Sequence, residues 1–414
     1  MIEFEKYKLK NGLTVIVHVD TNTPMAVTNV LYDVGAKDEL EDKTGFAHLF
    51  EHLMFGGSMN IPEFDTPLQN AGGENNAFTS NDITNYYDVL PAENYETSLW
   101  LESDRMLSLS FSEKSLEVQR NVVIEEFKQR YLNEPYGDVW LELRPLAYKE
   151  HPYKWATIGK KIEHIEQAKM VEVKDFFHTH YHPANAILCV AGNIDIAQTK
   201  SAIDKWFSDI PRKEKLKRQL MKEPIQEEYR KKIIERDVPT KAFYFAFKMC
   251  GRKDEDYHAY DLISDILGRE KSSLLYKELI EKHSLVDSIS AYILGSIDEG
   301  LLIISGKIKE GIDIEHFESF FWKSIEKFKS TNISEYELQS LVNKIKTAKA
   351  FQDQSLLNRA MALCYFELIG DASEINKELD KYDQLNTDKI ESIVQKTLVK
   401  TNCSVLFVKQ KHNE

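Results

Sequence analysis

The chain has 414 residues, a formal net charge of −14 and 29% charged residues. That length makes two domains the natural division, and the acidic balance argues for solubility and against nucleic-acid binding. No apolar run approaches the roughly 20 residues of a membrane span.

The N-terminus, Met1-Ile2-Glu3-Phe4-Glu5-Lys6, lacks the apolar core of a signal peptide. Cys189, Cys250, Cys364 and Cys403 have no metal-ligand spacing and read as reduced core thiols, so a cytoplasmic location is expected. A hairpin comes first, with Asn11-Gly12 as its turn and Leu13–Val17 as the returning strand.

His48-Leu49-Phe50-Glu51-His52 follows, the inverted H-x-x-E-H form of a zinc-protease helix motif. Histidines four apart share one helix face, so their ring nitrogens can converge on one zinc at roughly 2.0–2.1 Å. Glu51 borders that face, where a carboxylate can serve a metal-activated water rather than the metal. Phe46, Leu49, Leu53, Met54 and Phe55 mark the helix as buried over much of its surface, and Gly56-Gly57-Ser58 ends it. Ionisable groups on such a helix are costly unless paired or metal-bound.

Gly72-Gly73 then leads into Glu74–Ser80, whose small side chains suit an exposed sheet edge where an extended peptide could add as a strand. On the residues alone, an ordinary edge strand with a glycine turn is the favoured reading. A catalytic zinc needs a third protein ligand, His, Asp or Glu, from another helix. The best source is Glu117–Phe127. There Val122, Val123 and Phe127 mark a face, Glu126 lies beside it and Glu125 turns away. A solvated acidic surface is the competing reading for Glu126.

In combination, Gly45-x-x-His48-x-x-Glu51-His52, Asn76-Ala77-Phe78-Thr79 and Arg120-Asn121-Val122-Val123-Ile124-Glu125-Glu126 resemble the pitrilysin/insulinase family of zinc peptidases. This is the short bacterial type related to mitochondrial processing peptidase. The resemblance covers nearly the whole chain. It implies one zinc per chain held by His48, His52 and Glu126, Glu51 as general base, and Asn76, Ala77 and Phe78 as substrate-backbone contacts. It also implies a closed chamber formed by two such two-domain units. One departure is Gln119, where family members often carry a further glutamate seven residues before the third ligand.

Beyond the motifs, a shift of 217 residues lays Val173–Val190 on Ile390–Phe407 with matching apolar periods and an asparagine at the same junction, Asn185 on Asn402. The same shift places Asp265, Gly268 and Arg269 near His48, Glu51 and His52. Strands are expected at Lys241–Met249, Leu301–Lys307 and Cys403–Val408. The fold class is α+β: two homologous domains, each a mostly antiparallel sheet with helices on one face. The expected division is 1–211 for the zinc-binding domain, 212–232 for a charged solvated linker and 233–414 for a copy without a metal site.

Substrate-binding members of the family carry an Arg and, seven residues later, a Tyr after a Ser-Ser helix start. Here Ile280 and Asp287 stand at those positions after Ser272-Ser273, and neither can donate to a peptide carbonyl. The expectation is a zinc endopeptidase acting on unfolded peptides. It pairs as a heterodimer with a homologous subunit that carries the Arg and Tyr, or alternatively as a homodimer. A non-catalytic assembly subunit is the other class in play.

Overall fold

The structure, a computed structural model, describes residues 1–215 and 218–411. Two sheets organise them. The first contains β1 (Glu5–Lys8), β2 (Thr14–Val19), β3 (Met25–Tyr32), β4 (Glu74–Thr79), β5 (Thr84–Pro91) and β6 (Ala186–Gly192), in the order β1-β2-β6-β3-β5-β4. The second contains β7 (Arg230–Arg236), β8 (Ala242–Lys248), β9 (Val286–Leu294), β10 (Leu301–Ile308) and β11 (Cys403–Gln410), in the order β7-β11-β8-β10-β9. Runs rich in Val, Ile, Thr and Phe drive these strands. The first hairpin turns at Gly12, whose φ of 100° suits only glycine without strain.

The helices used below are α1 (Phe46–Leu53), α2 (Tyr95–Leu107), α3 (Glu113–Phe127), α4 (Val139–Ala147), α5 (Met170–His180), α6 (Tyr257–Ser264), α7 (Ile314–Lys329), α8 (Glu335–Gln352), α9 (Leu356–Ile369) and α10 (Thr387–Thr397). The 217-residue shift is visible in them. It carries α5 onto α10, and β6 onto β11 from its first residue. Each sheet has one parallel pair, β2 with β6 and β7 with β11, and the remaining pairs among the described residues are antiparallel. Five strands of the first sheet therefore match the second in order and direction, with β1 added at one edge.

On one face of the second sheet, Phe243, Phe245 and Phe247 pack with Phe317, Phe321 and Ile325 of α7 and Ile390 and Val394 of α10. Each fully buried ring is worth roughly 1.5–3 kcal/mol. The opposite faces are covered as well, chiefly by one helix each. Leu363, Cys364 and Phe366 of α9 pack on Ile16, Val27, Leu31 and Cys189 of the first sheet. Val139, Leu143 and Ala147 of α4 pack on Ala246, Ile303 and Leu406 of the second.

This second layer changes the division of the chain. The compact units are Met1–Phe127, Trp155–Leu220 and Lys349–Glu378 for the first, and Lys128–Lys154, Met221–Ala348 and Leu379–Glu414 for the second. The contiguous division at 211 and 233 is corrected because the apolar stripes of α4 and α9 find their matching sheets in the other half of the sequence. Most described residues of the charged stretch 212–232 are exposed, and the stretch is tied down at two points. The Arg218 guanidinium binds Asp33 and Asp38 in the first unit. Glu223 accepts backbone N–H bonds from Lys149, Glu150 and His151 in the second, and its last three residues already belong to β7. Residues 216 and 217 of this stretch lie outside the described residues.

All four cysteines are free, and Cys189, Cys364 and Cys403 are buried. Among the described residues, no helix is long and apolar enough to cross a membrane.

Candidate metal centre

Helix α1 starts at Gly45, whose φ is 89°. A Cβ there would lie 2.7 Å from the Ile158 carbonyl oxygen, so glycine is required for both conformation and space. The Gly45 and Ala47 N–H groups donate to the two carboxylate oxygens of Glu39, at 2.9 and 2.8 Å. Glu39 thus satisfies two donors at the helix start that would otherwise be orphaned. Burial pushes its carboxyl up to about 8, against the pull of those N–H donors.

Phe46, Ala47, Leu49, Phe50 and Leu53 are buried, which fixes the rotation of α1 and leaves His48, Glu51 and His52 on its half-buried side. Below the helix, the Tyr86 hydroxyl of β5 donates to the Phe50 carbonyl at 3.4 Å. The fully buried Arg105 stacks on Phe55, Phe64 and Tyr86 and pairs with Glu102, both residues lying on α2.

The third group comes from α3. Val123, Ile124 and Phe127 are buried there, Glu126 is half-buried and Glu125 is exposed. Val122, expected on the buried face, is 44% exposed, because the helix phase puts Ile124 inside instead. Glu126 Oε2 lies 3.6 Å from Nε2 of both His48 and His52. The three donor atoms lie within 4.8 Å of one another, and this is the single such group among the described residues.

Metal–ligand bonds of about 2.0–2.1 Å on a tetrahedron place neighbouring donors about 3.3 Å apart. The 3.6 Å separations therefore need to close by only a few tenths of an ångström. Two imidazoles and one carboxylate are a donor set suited to zinc with one position left open. These residues fit the metal.

Glu51 stands beside this set, outside it. Its Oε2 accepts a hydrogen bond from the Thr79 hydroxyl at 2.6 Å. Burial raises its pKa above the ordinary carboxylate value, and hydrogen bonding from the Thr79 hydroxyl and, to a lesser degree, from the Thr79 backbone N–H works against that.

Thr79 ends β4, which lies at the edge of its sheet. Asn76, Ala77 and Phe78 lie in register with Tyr87, Tyr86 and Asn85 of β5. Asn76 and Phe78 are exposed, whereas Ala77 and Thr79 are half-buried toward the α1 side. The Ala77 N–H donates to the side-chain oxygen of Asn76 at 2.8 Å.

Comparison with known proteins bears directly on this set. The family model described as "Insulinase (Peptidase family M16)" matches residues 14–159, and "Peptidase M16 inactive domain" matches residues 170–345. The zinc protease PqqE of Helicobacter pylori is 32% identical over 343 residues, spanning 81% of this chain and 77% of the relative. The chain belongs to the peptidase M16 (insulinase/pitrilysin) family. A crystal structure of a protease from Helicobacter pylori matches with a TM-score of 0.93 at 28% identity, covering 99% of this chain and all of that one. The mitochondrial-processing peptidase subunit beta of Saccharomyces cerevisiae is 28% identical over 210 residues, half of this chain and 45% of that one.

The insulinase-type segment holds the whole donor set with Glu51. The segment matched by the inactive-domain model holds its counterpart, where the Asp265 and Arg269 side chains pair at 2.7 Å. Ile280 lies half-buried in a helical turn, and Asp287 is exposed on the edge strand β9. Gln119 is half-buried on α3.

Sequence reading missed Glu39, Arg105 and the role of Thr79. Glu39 sits in a loop without a pattern, and Arg105 looks like any charged residue on a helix. Thr79 did carry a signal, as the polar end of a strand already marked as an edge.

Proposed function

We propose that this chain is a zinc metalloendopeptidase, the catalytic subunit for hydrolysis of unfolded or extended peptides. The observation that carries it is the convergence of His48, His52 and Glu126 donor atoms within 4.8 Å, with the Glu51 carboxylate alongside. Zinc held by those three residues would supply Lewis-acid polarisation and acidify water at neutral pH. Glu51 takes the proton from the attacking water and returns it to the departing amine. The open edge of β4 at Asn76, Ala77 and Phe78 binds substrate backbone as an added strand, so recognition depends on extended conformation more than on side chains. The non-catalytic reading is disfavoured because all four residues of the set are present and assembled.

The second half offers no donor at Ile280 or Asp287. We therefore infer a homologous partner subunit that supplies an Arg and a Tyr across a closed chamber. A relative named as a subunit supports this reading.

The test is Glu51→Gln in metal-replete protein, assayed on a flexible peptide with and without the candidate partner. Zinc content should stay at wild type while turnover falls at least ~10²-fold. Near-wild-type hydrolysis by Glu51→Gln would remove the mechanism. Full activity of the isolated wild-type chain would remove the partner but leave the metal assignment standing.

A further inference from the structure

The Thr79–Glu51 hydrogen bond joins the residue proposed to move protons to the strand proposed to hold substrate. Thr79 Oγ1 donates to Glu51 Oε2 at 2.6 Å, within the range of strong hydrogen bonds to a carboxylate. With Oε2 held, Oε1 is the oxygen presented to water. A carboxylate on the half-buried side of a helix otherwise has several rotamers, and only some aim Oε1 at the His48–His52–Glu126 set. Threonine suits this task because its β-branched side chain has few accessible χ1 rotamers and lies on the β4 face turned toward α1.

Thr79 is also the last residue of β4, two residues beyond Ala77 on the same face. Among the described residues β4 pairs with β5 alone, so its other edge is held by no strand. A peptide adding at that edge would fix the backbone from Asn76 to Thr79 and with it the direction of the Thr79 hydroxyl.

The second unit has no such link. The residue matching Glu51 is Gly268, and a Cβ on it would lie 2.8 Å from the backbone nitrogen of Ala291 on β9. Helix and edge strand stay in contact there, but position 268 itself carries no side chain that could hydrogen-bond to the strand.

We propose that Thr79 is a positioning residue that sets the orientation of the Glu51 carboxylate and couples it to strand addition at β4. The inference rests on the peptidase reading above. Thr79→Val keeps the β-branched shape and removes the hydroxyl, and Thr79→Ser keeps the hydroxyl. Both are compared with wild type and Glu51→Gln, in whichever assembly, alone or with partner, hydrolyses the peptide.

Thr79→Val should keep wild-type zinc content and a KM within about twofold, while kcat falls about 10- to 100-fold, the scale of a small misplacement of a reacting group. Thr79→Ser should stay within about threefold of wild type. In crystals of the metal-free proteins, the Glu51 carboxylate should turn away in Thr79→Val and keep its place in Thr79→Ser. Wild-type kcat in Thr79→Val beside an inactive Glu51→Gln would overturn this inference and leave the peptidase reading intact. Equal loss in both Thr79 variants, a change confined to KM, or an unmoved Glu51 in Thr79→Val crystals would overturn it as well. If Thr79→Val does not fold, a Thr79→Ser protein with about tenfold lower kcat and normal zinc content is enough to overturn it.

Discussion

The two units repeat one topology, yet their corresponding helices carry different chemistry. In the first unit, α1 presents His48, Glu51 and His52 toward Glu126 of α3. In the second, the same place on α6 and its π-helical continuation, Asp265–Arg269, carries an ion pair one turn apart and a glycine pressed onto β9. The second unit shows that this helix-on-sheet arrangement stands without metal ligands. Its core comes from Phe243, Phe245, Phe247 and their partners on α7 and α10. In the first unit α1 is likewise anchored by five buried apolar side chains and by Glu39. The histidines are therefore expected to be dispensable for folding and available for function.

The largest expected effect follows from that contrast. His48→Ala, His52→Ala and Glu126→Ala each make the first unit more like the second. Each should lower bound zinc more than about tenfold and abolish peptide hydrolysis, because two protein ligands hold zinc far more weakly than three. Far-UV circular dichroism should stay at wild type. Elemental analysis of the purified variants is the measurement, with Glu125→Ala as the control that keeps its zinc. Full zinc in Glu126→Ala with loss in Glu125→Ala would reassign the third ligand. Global unfolding of all three variants would break the comparison itself.

A second contrast lies in buried titratable groups away from the site. In the first unit, burial pushes His180 and His182 down to about 4 and lowers His18. His18 Nε2 accepts from Arg359 Nε at 3.1 Å, which requires a neutral ring. In the second unit, burial pushes Lys248 down to about 8.

A depressed folded pKa means that the unfolded chain binds protons first as pH falls. The histidines therefore contribute stability that is complete above about 6.5 and lost toward 4, on the order of a few kcal/mol together. Lys248 acts in another window, where stability rises as pH climbs from about 8 toward 10.5. Metal-free protein should thus lose hydrogen-exchange protection in β3 and α5 before β8 and α7 when acidified from pH 7 to 4, after correction for intrinsic exchange rates. Earlier loss in β8 and α7 would refute this.

How much of this could be read from the sequence depended on distance along the chain. The His48–His52 pair was legible because four-residue spacing on a helix sets its own geometry. Glu126 lies 74 residues beyond His52, and only the combined motifs pointed to it. The repeat was legible because α5 and α10, with the strands after them, keep the same apolar period and the same junction asparagine.

The unit boundaries were hidden. Helices α4 and α9 each carry an ordinary apolar stripe, and nothing local says which sheet it matches. Glu39 and Arg105 were hidden for a similar reason, since Glu39 serves a loop–helix junction and the rings around Arg105 lie on other elements. Val122 was misplaced because adjacent Val, Val and Ile leave the phase of a helix open within one residue.

The smallest expected effect concerns the ion pair that stands where the first unit has histidines. Arg269 Nη1 lies 2.7 Å from Asp265 Oδ1, and its side chain is 60% exposed. Solvent screens such a pair, so its coupling should be at most about 1 kcal/mol in a double-mutant cycle on urea unfolding. Asp265 is buried, and burial raises its carboxyl above the usual range, so losing Arg269 lets it take a proton rather than remain charged. Arg269→Ala should therefore cost less than breaking a buried pair does, and the double variant with Asp265→Ala should cost about the same as Asp265→Ala alone. Replacing both by histidine, Asp265→His with Arg269→His, supplies two of the three ligands that a zinc site requires. Zinc content should then stay near one per chain, held by the first unit. A second equivalent of tightly bound zinc would mean that the second unit supplies a further ligand beside those two positions, and would refute this expectation.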